Sequence, residues 1–168
     1  LFYRHETLPS FILDGYGGSI SLFKTFFKKL NLSLAFEAEE STTERYFSNN
    51  IIIPDIFTKI EYSTTTSIIF SAYFENRDNP FDPRRGNLLR FTTKYATRFN
   101  FLGPLGGGDE FFKWDAEYSH YFNFGNWFIL AGSLRFGSII PTNPERERIP
   151  EKERFFLGGD NTIRGYEL

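Results

Sequence analysis

The longest alternation in the chain runs from Lys59 to Glu75. Ile60, Tyr62, Thr64, Thr66, Ile68, Phe70, Ala72 and Phe74 share one parity, while Lys59, Glu61, Ser63, Thr65, Ser67, Ser71 and Glu75 dominate the other. A helix would scatter these residues around its circumference, whereas a strand sorts them onto two faces. At ~3.3 Å per residue the run is longer than the ~9–11 residues a strand needs to cross a bilayer. If its apolar face meets lipid, its upper part projects beyond the membrane.

The same period recurs along the chain. Gly17 to Phe27 places Ile20, Leu22 and Phe26 on one face, and Leu30, Leu32, Leu34, Phe36 and Ala38 then alternate with Asn31, Ser33, Ala35, Glu37 and Glu39. Leu89, Phe91, Tyr95 and Phe99 oppose Arg90, Lys94 and Arg98. Phe112, Trp114, Ala116, Tyr118 and Phe122 oppose Lys113, Asp115, Glu117 and Ser119, and Phe128, Leu130, Leu134 and Phe136 oppose Ser133 and Arg135. About six antiparallel strands are predicted. Residues 1–15 carry no strand signal, because Leu8-Pro9-Ser10 interrupts them and Asp14-Gly15 reads as a turn. Connections alternate between short (27–30, 76–86, 123–126) and long (41–57, 100–110, 138 onward).

Composition narrows the choice of β architecture. Aromatic residues make up 20% of the chain, with 22 Phe and 9 Tyr. Even so, mean hydropathy is negative, and no apolar run approaches the ~20 residues of a transmembrane helix. A transmembrane β-barrel reconciles these facts, since alternate residues face lipid and water. A soluble β-sandwich is the competitor. Two patterns weigh against it: the short–long alternation of connections, and acids and bases at strand centres, which a hydrated lumen tolerates and a dry core does not.

Other function classes recede. A formal net charge of -2 provides no basic field for nucleic acid. Cysteine is absent, which excludes a disulfide scaffold, a thiolate zinc site and a cysteine nucleophile. There is no Met either, so the chain reads as a fragment of something longer. Ser119, His120 and Asp115 suggest a hydrolase triad, but alternation puts His120 on the aromatic face and the other two on the polar face. His5 has no companions, and Asp78, Asp82, Asp109 and Glu110 fall in connections at opposite ends. No enzyme, cofactor or metal site is predicted.

Two motifs remain. Phe156-Leu157-Gly158-Gly159, followed by Ile163-Arg164-Gly165-Tyr166, describes a bent loop presenting one guanidinium. Upstream, Arg77-Asp78-Asn79-Pro80-Phe81-Asp82-Pro83-Arg84-Arg85-Gly86 is a turn in which Asp78 is read as the stabilising side chain. Their order and spacing resemble the BamA/TamA-type family of outer-membrane assembly and translocation barrels. In that family a turn with Asp, Phe-x-Pro and Gly (here Asp78, Pro80, Phe81, Pro83 and Gly86) precedes a Gly-Gly…Arg-Gly-aromatic loop by two hairpin elements.

The resemblance implies a sixteen-stranded barrel, of which residues 1–168 supply roughly strands six to eleven and the start of a long inward-folding loop. Periplasmic repeat domains and the final strands would lie outside the chain. Gly158, Gly159, Arg164, Gly165 and Tyr166 would brace the lumen, with Arg164 pairing to acids on later strands. The implied function is insertion of client proteins in a bacterial outer membrane, or less favourably that of a bacterium-derived organelle. Implied partners are unfolded outer-membrane clients, the lipid bilayer and accessory assembly proteins, with no nucleic acid. The alternatives are a secretion pore of the same superfamily and a plain outer-membrane porin. The charges at Glu37, Glu39, Arg90, Lys94, Arg98, Lys113, Asp115, Glu117 and Arg135 are expected to line the lumen with mixed sign.

Overall fold

A computed structural model describes residues 1–8, 11–45, 59–100, 106–125, 127–143 and 149–155. The strands are β1 (Phe2–Leu8), β2 (Phe11–Phe26), β3 (Leu30–Arg45), β4 (Lys59–Glu75), β5 (Gly86–Ala96), β6 (Phe111–Asn123) and β7 (Ile129–Pro141). Each pairs antiparallel with its sequence neighbours, giving one sheet in the order β1 to β7. The fold is all-β: an unclosed antiparallel wall whose edges are β1 and β7.

Seven strands replace the six expected, and the difference lies at the start. Asp14 and Gly15 form no turn; they sit inside β2, where Asp14 pairs with His5 on one side and Thr42 on the other. The glycines of β2 serve close approach instead. A Cβ on Gly17 would lie 2.5 Å from the carbonyl oxygen of Ala38 and 2.9 Å from the ring of Phe2. β3 also runs on to Arg45, so Ser41–Arg45 are ladder residues and not the start of a connection, being paired by both β2 and β4. β5 stops earlier than expected, at Ala96, leaving Arg98 exposed beyond the strand. β7 begins at Ile129, one residue after Phe128.

That early stop has a local cause. β5 pairs β4 only as far as Ser67, which leaves the upper edge of β4 bare. Residues 106–109 of the β5–β6 connection cover it: the N–H groups of Gly108 and Asp109 donate to the Thr64 carbonyl at 2.7 and 3.2 Å, and Thr97 N–H donates to Thr66 at 3.2 Å. Asp109 Oδ2 then accepts from Ser63 and Thr65, each at 2.6 Å. A strand edge is paired away in this manner without a further strand.

The register assigns each side chain to a face. One face carries Ile20, Leu34, Ile68, Phe70, Leu89, Tyr118, Leu134 and Phe136, all exposed. The opposite face carries Glu39, Ser41, Thr43, Glu61, Ser63, Thr65, Ser67 and Ser119, all buried. This inverts the arrangement of a soluble protein, with apolar groups outside and polar groups covered. We call the first face outer and the second the inner wall. On β3 the outer apolar run extends from Leu30 to Ala38 and then gives way to Glu40, Thr42 and Glu44. Tyr16 hydrogen-bonds Glu40 there, and Tyr3 donates to Asp14 at 3.0 Å. The upper ends of β2–β4 therefore rise out of an apolar band about nine residues tall, near the span a tilted strand needs.

The connections sort by end. The strand ends joined by residues 27–29, 76–85 and 124–128 lie at one end, here the turn end; those joined by the longer 46–58 and 97–110, and the end of β7, lie at the other. The two-residue step between β1 and β2 is the exception at the long end.

Candidate functional site: the inner wall and its returning segment

The inner wall gathers charges from strands far apart in sequence. Arg90, Glu117 and Arg135 are direct cross-strand partners on β5, β6 and β7. Glu117 bridges the two guanidiniums at 3.5 and 3.3 Å. Higher up, Lys94 on β5 lies 3.2 Å from Glu37 on β3. Of the charges predicted to line a lumen, these share the inner face of the sheet, while Arg98 lies beyond the end of β5. Ion pairing across adjacent strands fixes their relative positions; exposed pairs add little beyond that.

β7 does not simply leave the sheet. Thr142 N–H donates to the Glu110 carbonyl at 3.1 Å, and Asn143 Nδ2 donates to the Glu110 carboxylate at 2.6 Å, extending the pairing past Pro141. Residues 149–155 lie on the inner wall. Pro150 opens a single 3-10 turn over Glu151–Glu153, closed by Arg154 N–H on the Glu151 carbonyl at 3.1 Å. Pro150 is the N-cap of the turn, at φ −53° and ψ 140°, and its carbonyl accepts from the Glu153 N–H at 3.0 Å.

Three anchors hold the segment. Lys152 Nζ lies 3.1 Å from Glu39 Oε2, and the two side chains are 2% and 1% exposed. The other oxygen of Glu39 makes no hydrogen bond and faces Arg4 Nη1 at 3.6 Å. Glu153 Oε1 accepts from Lys94 at 2.6 Å, while Lys113 donates to Glu153 Oε2 at 3.2 Å and to its carbonyl at 2.8 Å. Phe155 takes the third position, with the Lys113 ammonium 5.0 Å from its ring centroid. Its ring rests on Gly137 of β7, where a Cβ would come within 2.7 Å. Seven residues thus tie β3, β5, β6 and β7 together.

None of this joinery is visible as a motif. Lys152 and Glu153 occur in the acidic and basic run Glu145–Glu153, which shows no periodicity and no family signature. Only the alternation that put Glu37, Glu39, Lys94 and Lys113 on one face hinted that partners of opposite sign would be needed. The loop residues expected to brace the lumen, Gly158, Gly159, Arg164, Gly165 and Tyr166, lie outside the described residues, as do the surrounding 156–168.

The second predicted motif is well defined. Asp78 Oδ1 accepts from the backbone N–H of Asn79, Arg84 and Arg85 at 3.0, 3.0 and 3.2 Å, and Asp78 N–H donates to the Arg85 carbonyl at 3.1 Å. These donors, Arg84 first, hold its carboxyl below the ordinary value of 3.8. Phe81 N–H donates to Asn79 Oδ1 at 2.9 Å, setting the bend before Pro83. Pro80 lies within that bend, and Gly86 closes the turn at φ 106°.

The hydrolase constellation does not assemble. His120 shares the outer face with Tyr118, whose hydroxyl is 2.9 Å from Nδ1, and with Phe122, whose ring is 4.0 Å away. Ser119 points the other way and donates to Ser133 at 3.0 Å. Among the described residues no group of acids and histidines is arranged to hold a metal.

Comparison with known proteins agrees with this architecture. The sequence profile described as the Omp85 superfamily domain matches residues 1–168. The outer membrane protein assembly factor BamA of Nitratidesulfovibrio vulgaris is 28% identical over 92 residues, covering 55% of this chain and 11% of that protein. The sorting and assembly machinery component 50 homolog of Bos taurus is 27% identical over 107 residues, covering 64% and 21%. The crystal structure of BamA from Haemophilus ducreyi lacking POTRA domains 1-3 superposes with a TM-score of 0.77 at 14% identity, covering 98% of this chain and 33% of that one. The chain spans between about a tenth and a third of the length of these proteins.

Proposed function

The chain belongs to the Omp85 superfamily, and from that premise we propose that it is a section of barrel wall in a factor that inserts client β-barrel proteins into a bacterial outer membrane. Its likeness to an outer membrane protein assembly factor and to a sorting and assembly machinery component supports the reading. The observation that carries it is the inversion of the sheet. Apolar side chains face outward and exposed, while residues 149–155 of the chain itself pack on the polar inner wall at Glu39, Lys94 and Lys113. A diffusion porin keeps its lumen open for solutes; here residues 149–155 occupy the wall instead.

In this reading the protein does no covalent chemistry, and its partners are unfolded clients, lipid and accessory assembly proteins. The wall is a frame. Lys152, Glu153 and Phe155 anchor residues 149–155 on the wall, and Gly158-Gly159 and Arg164-Gly165-Tyr166 would enter the lumen from there. An arginine confined there offers five donors in a fixed fork and stays charged. A carboxylate on strands outside this chain would lock it more firmly than a surface pair could. Clients would be templated by pairing with an opened strand edge elsewhere in the barrel.

The test is Arg164→Ala in the full-length protein, measuring the levels of other outer-membrane proteins and the thermal stability of the barrel. A several-fold fall in client levels is expected. Unchanged client levels together with unchanged barrel stability would remove the bracing role.

A further inference from the structure

The rim of the sheet at the turn end carries positive charge that its own acids do not neutralise. An open hollow of about 550 Å3 lies there between the 27–29 and 76–86 turns, lined among others by Lys28, Lys29, Glu75, Arg77, Asp78 and Arg85. It sits past Leu30 and Phe74, the last pair in the register of β3 and β4. Glu75 continues the inner parity of β4 and Arg77 pairs with it, so this lining belongs to the polar face and not to the apolar one.

Both acids are already engaged. Glu75 binds Arg77, with one contact at 3.1 Å, and Asp78 accepts from three backbone N–H groups. Three cations are left over. Lys29 donates to the neutral Asn76 side chain at 2.5 Å. Neither the Lys28 ammonium nor the Arg85 guanidinium has a hydrogen-bond or ion-pair partner among the described residues.

The two tips that border the hollow carry more than turning requires. Phe27 and Lys28 sit at φ 52° and 59°, a left-handed pair that Asn-Gly would adopt more easily. The other tip is held by Asp78 and Asn79, and Phe81 stands on it 97% exposed; Phe27 is 91% exposed. A second hollow of about 530 Å3 shares Arg85 and Gly86 with the first and continues to Tyr121, Asn123 and Gly125. Arg85 therefore stands where two hollows meet.

We propose that this rim docks an acidic peptide segment of a partner protein, with its carboxylates on Lys28, Lys29 and Arg85 and its chain running on into the second hollow. The proposal rests on reading the sheet as barrel wall, which leaves the turn end in water beyond the bilayer. Charge complementarity selects the carboxylates, since clusters of Arg and Lys are how folded domains read acidic motifs. The continuation past Arg85 selects a chain over a dissolved anion, which one hollow would satisfy. The exposed rings offer that chain apolar contact, and aromatic and Arg side chains are enriched together at protein interfaces. Because the 76–86 turn is already fixed by its own hydrogen bonds, docking there costs little ordering.

Full-length protein in phosphatidylcholine nanodiscs, titrated with a short fluorescent peptide of alternating glutamate and phenylalanine, provides the test by fluorescence anisotropy. Binding is expected, falling at least fivefold in Lys28→Gln/Arg85→Gln and weakening with added salt. Phe81→Ser, which leaves every cation in place, should weaken it less. A benzophenone carried by the peptide should crosslink to the 27–29 and 76–86 turns. Equal affinity of the double variant, equal affinity for a peptide with glutamine in place of glutamate, or crosslinks confined to other regions would overturn the proposal. So would full competition by equimolar inorganic phosphate, the mark of a site for dissolved anions, or a nitroxide at Phe81→Cys at headgroup depth, the mark of a rim seated in the membrane. A label at Phe70→Cys reads the premise separately. In bulk water it would sink the barrel reading first, whereas a lipid-buried label without peptide binding would sink the docking proposal alone.

Discussion

The turn between β4 and β5 and the segment after β7 both leave the sheet and bend sharply, yet they are held in opposite ways. In the turn the bonding is local. Asp78 serves Asn79, Arg84 and Arg85, and Asn79 serves Phe81. In the returning segment the bonding is remote: Lys152 reaches Glu39 across 113 positions, while Glu153 reaches Lys94 across 59 and Lys113 across 40. The first can form as soon as its own ten residues are made. The second needs β3, β5, β6 and β7 in register beforehand, because loop closure over such separations is recovered only when all partners are present. A docked segment is thus a sign that the wall is complete.

The sharpest way to break this contrast is to remove a remote anchor. Glu153→Ala leaves the Lys94 and Lys113 ammoniums without the carboxylate they share, and losing one member of a buried ionic cluster costs about 3–5 kcal/mol. Hydrogen exchange at the Arg154 N–H should accelerate accordingly, while the N–H groups bonded to Asp78 stay protected. If Arg154 exchange is unchanged, the segment is not held by charge.

Lys152→Ala should cost less, about 1–3 kcal/mol, because Arg4 remains 3.6 Å from Glu39 and can move in to compensate. Combined with Arg4→Ala, the loss should exceed the sum of the two single losses, a coupling that a double-mutant cycle on segment exchange would measure. Additivity would mean that Arg4 plays no part in the pocket.

Gly137→Ala tests the aromatic anchor. The new methyl meets the Phe155 ring at 2.7 Å, but that ring is half-exposed and can slide, so about 1 kcal/mol or less is expected. Loss of the Lys113–Phe155 proximity in labelled nuclear magnetic resonance spectra would show the ring displaced; an unmoved ring would mean that the strand gave way instead.

The smallest effect belongs to the local turn. The Asp78 carboxyl titrates below its ordinary 3.8 when folded. Its contribution to the turn is therefore fully present above about pH 4 and lost as pH falls through the lower folded value. Exchange at the Arg84 and Arg85 N–H groups should rise in that acid window with little change at Arg154, whereas Asp78→Asn should abolish the pH dependence. A transition above pH 5 would contradict the carboxylate's assignment.

Legibility followed the same division. The strand β4 is seen in the sequence with its bounds intact, because seventeen alternating residues permit one geometry. β1 was missed: Pro9 and the glycines of β2 look like breakers in one dimension, and only pairing with β3 shows Gly17 as a place where two backbones crowd. The inner-wall charges were legible as a face but not as partners. Glu37 and Lys94 share a parity, yet nothing in their spacing says that a residue at 153 completes them.

By itself, then, the sequence determined that this chain is a sheet with one apolar and one polar face, long enough to cross a bilayer. A period of two leaves a side chain no third direction. It also determined the turn at Asp78, whose donors and acceptor lie within a few residues of one another. The tertiary structure alone decided that residues 149–155 return to the wall and which charges meet there. Those pairings depend on strand register and on the side of the sheet the chain re-enters, and neither is written in any local stretch.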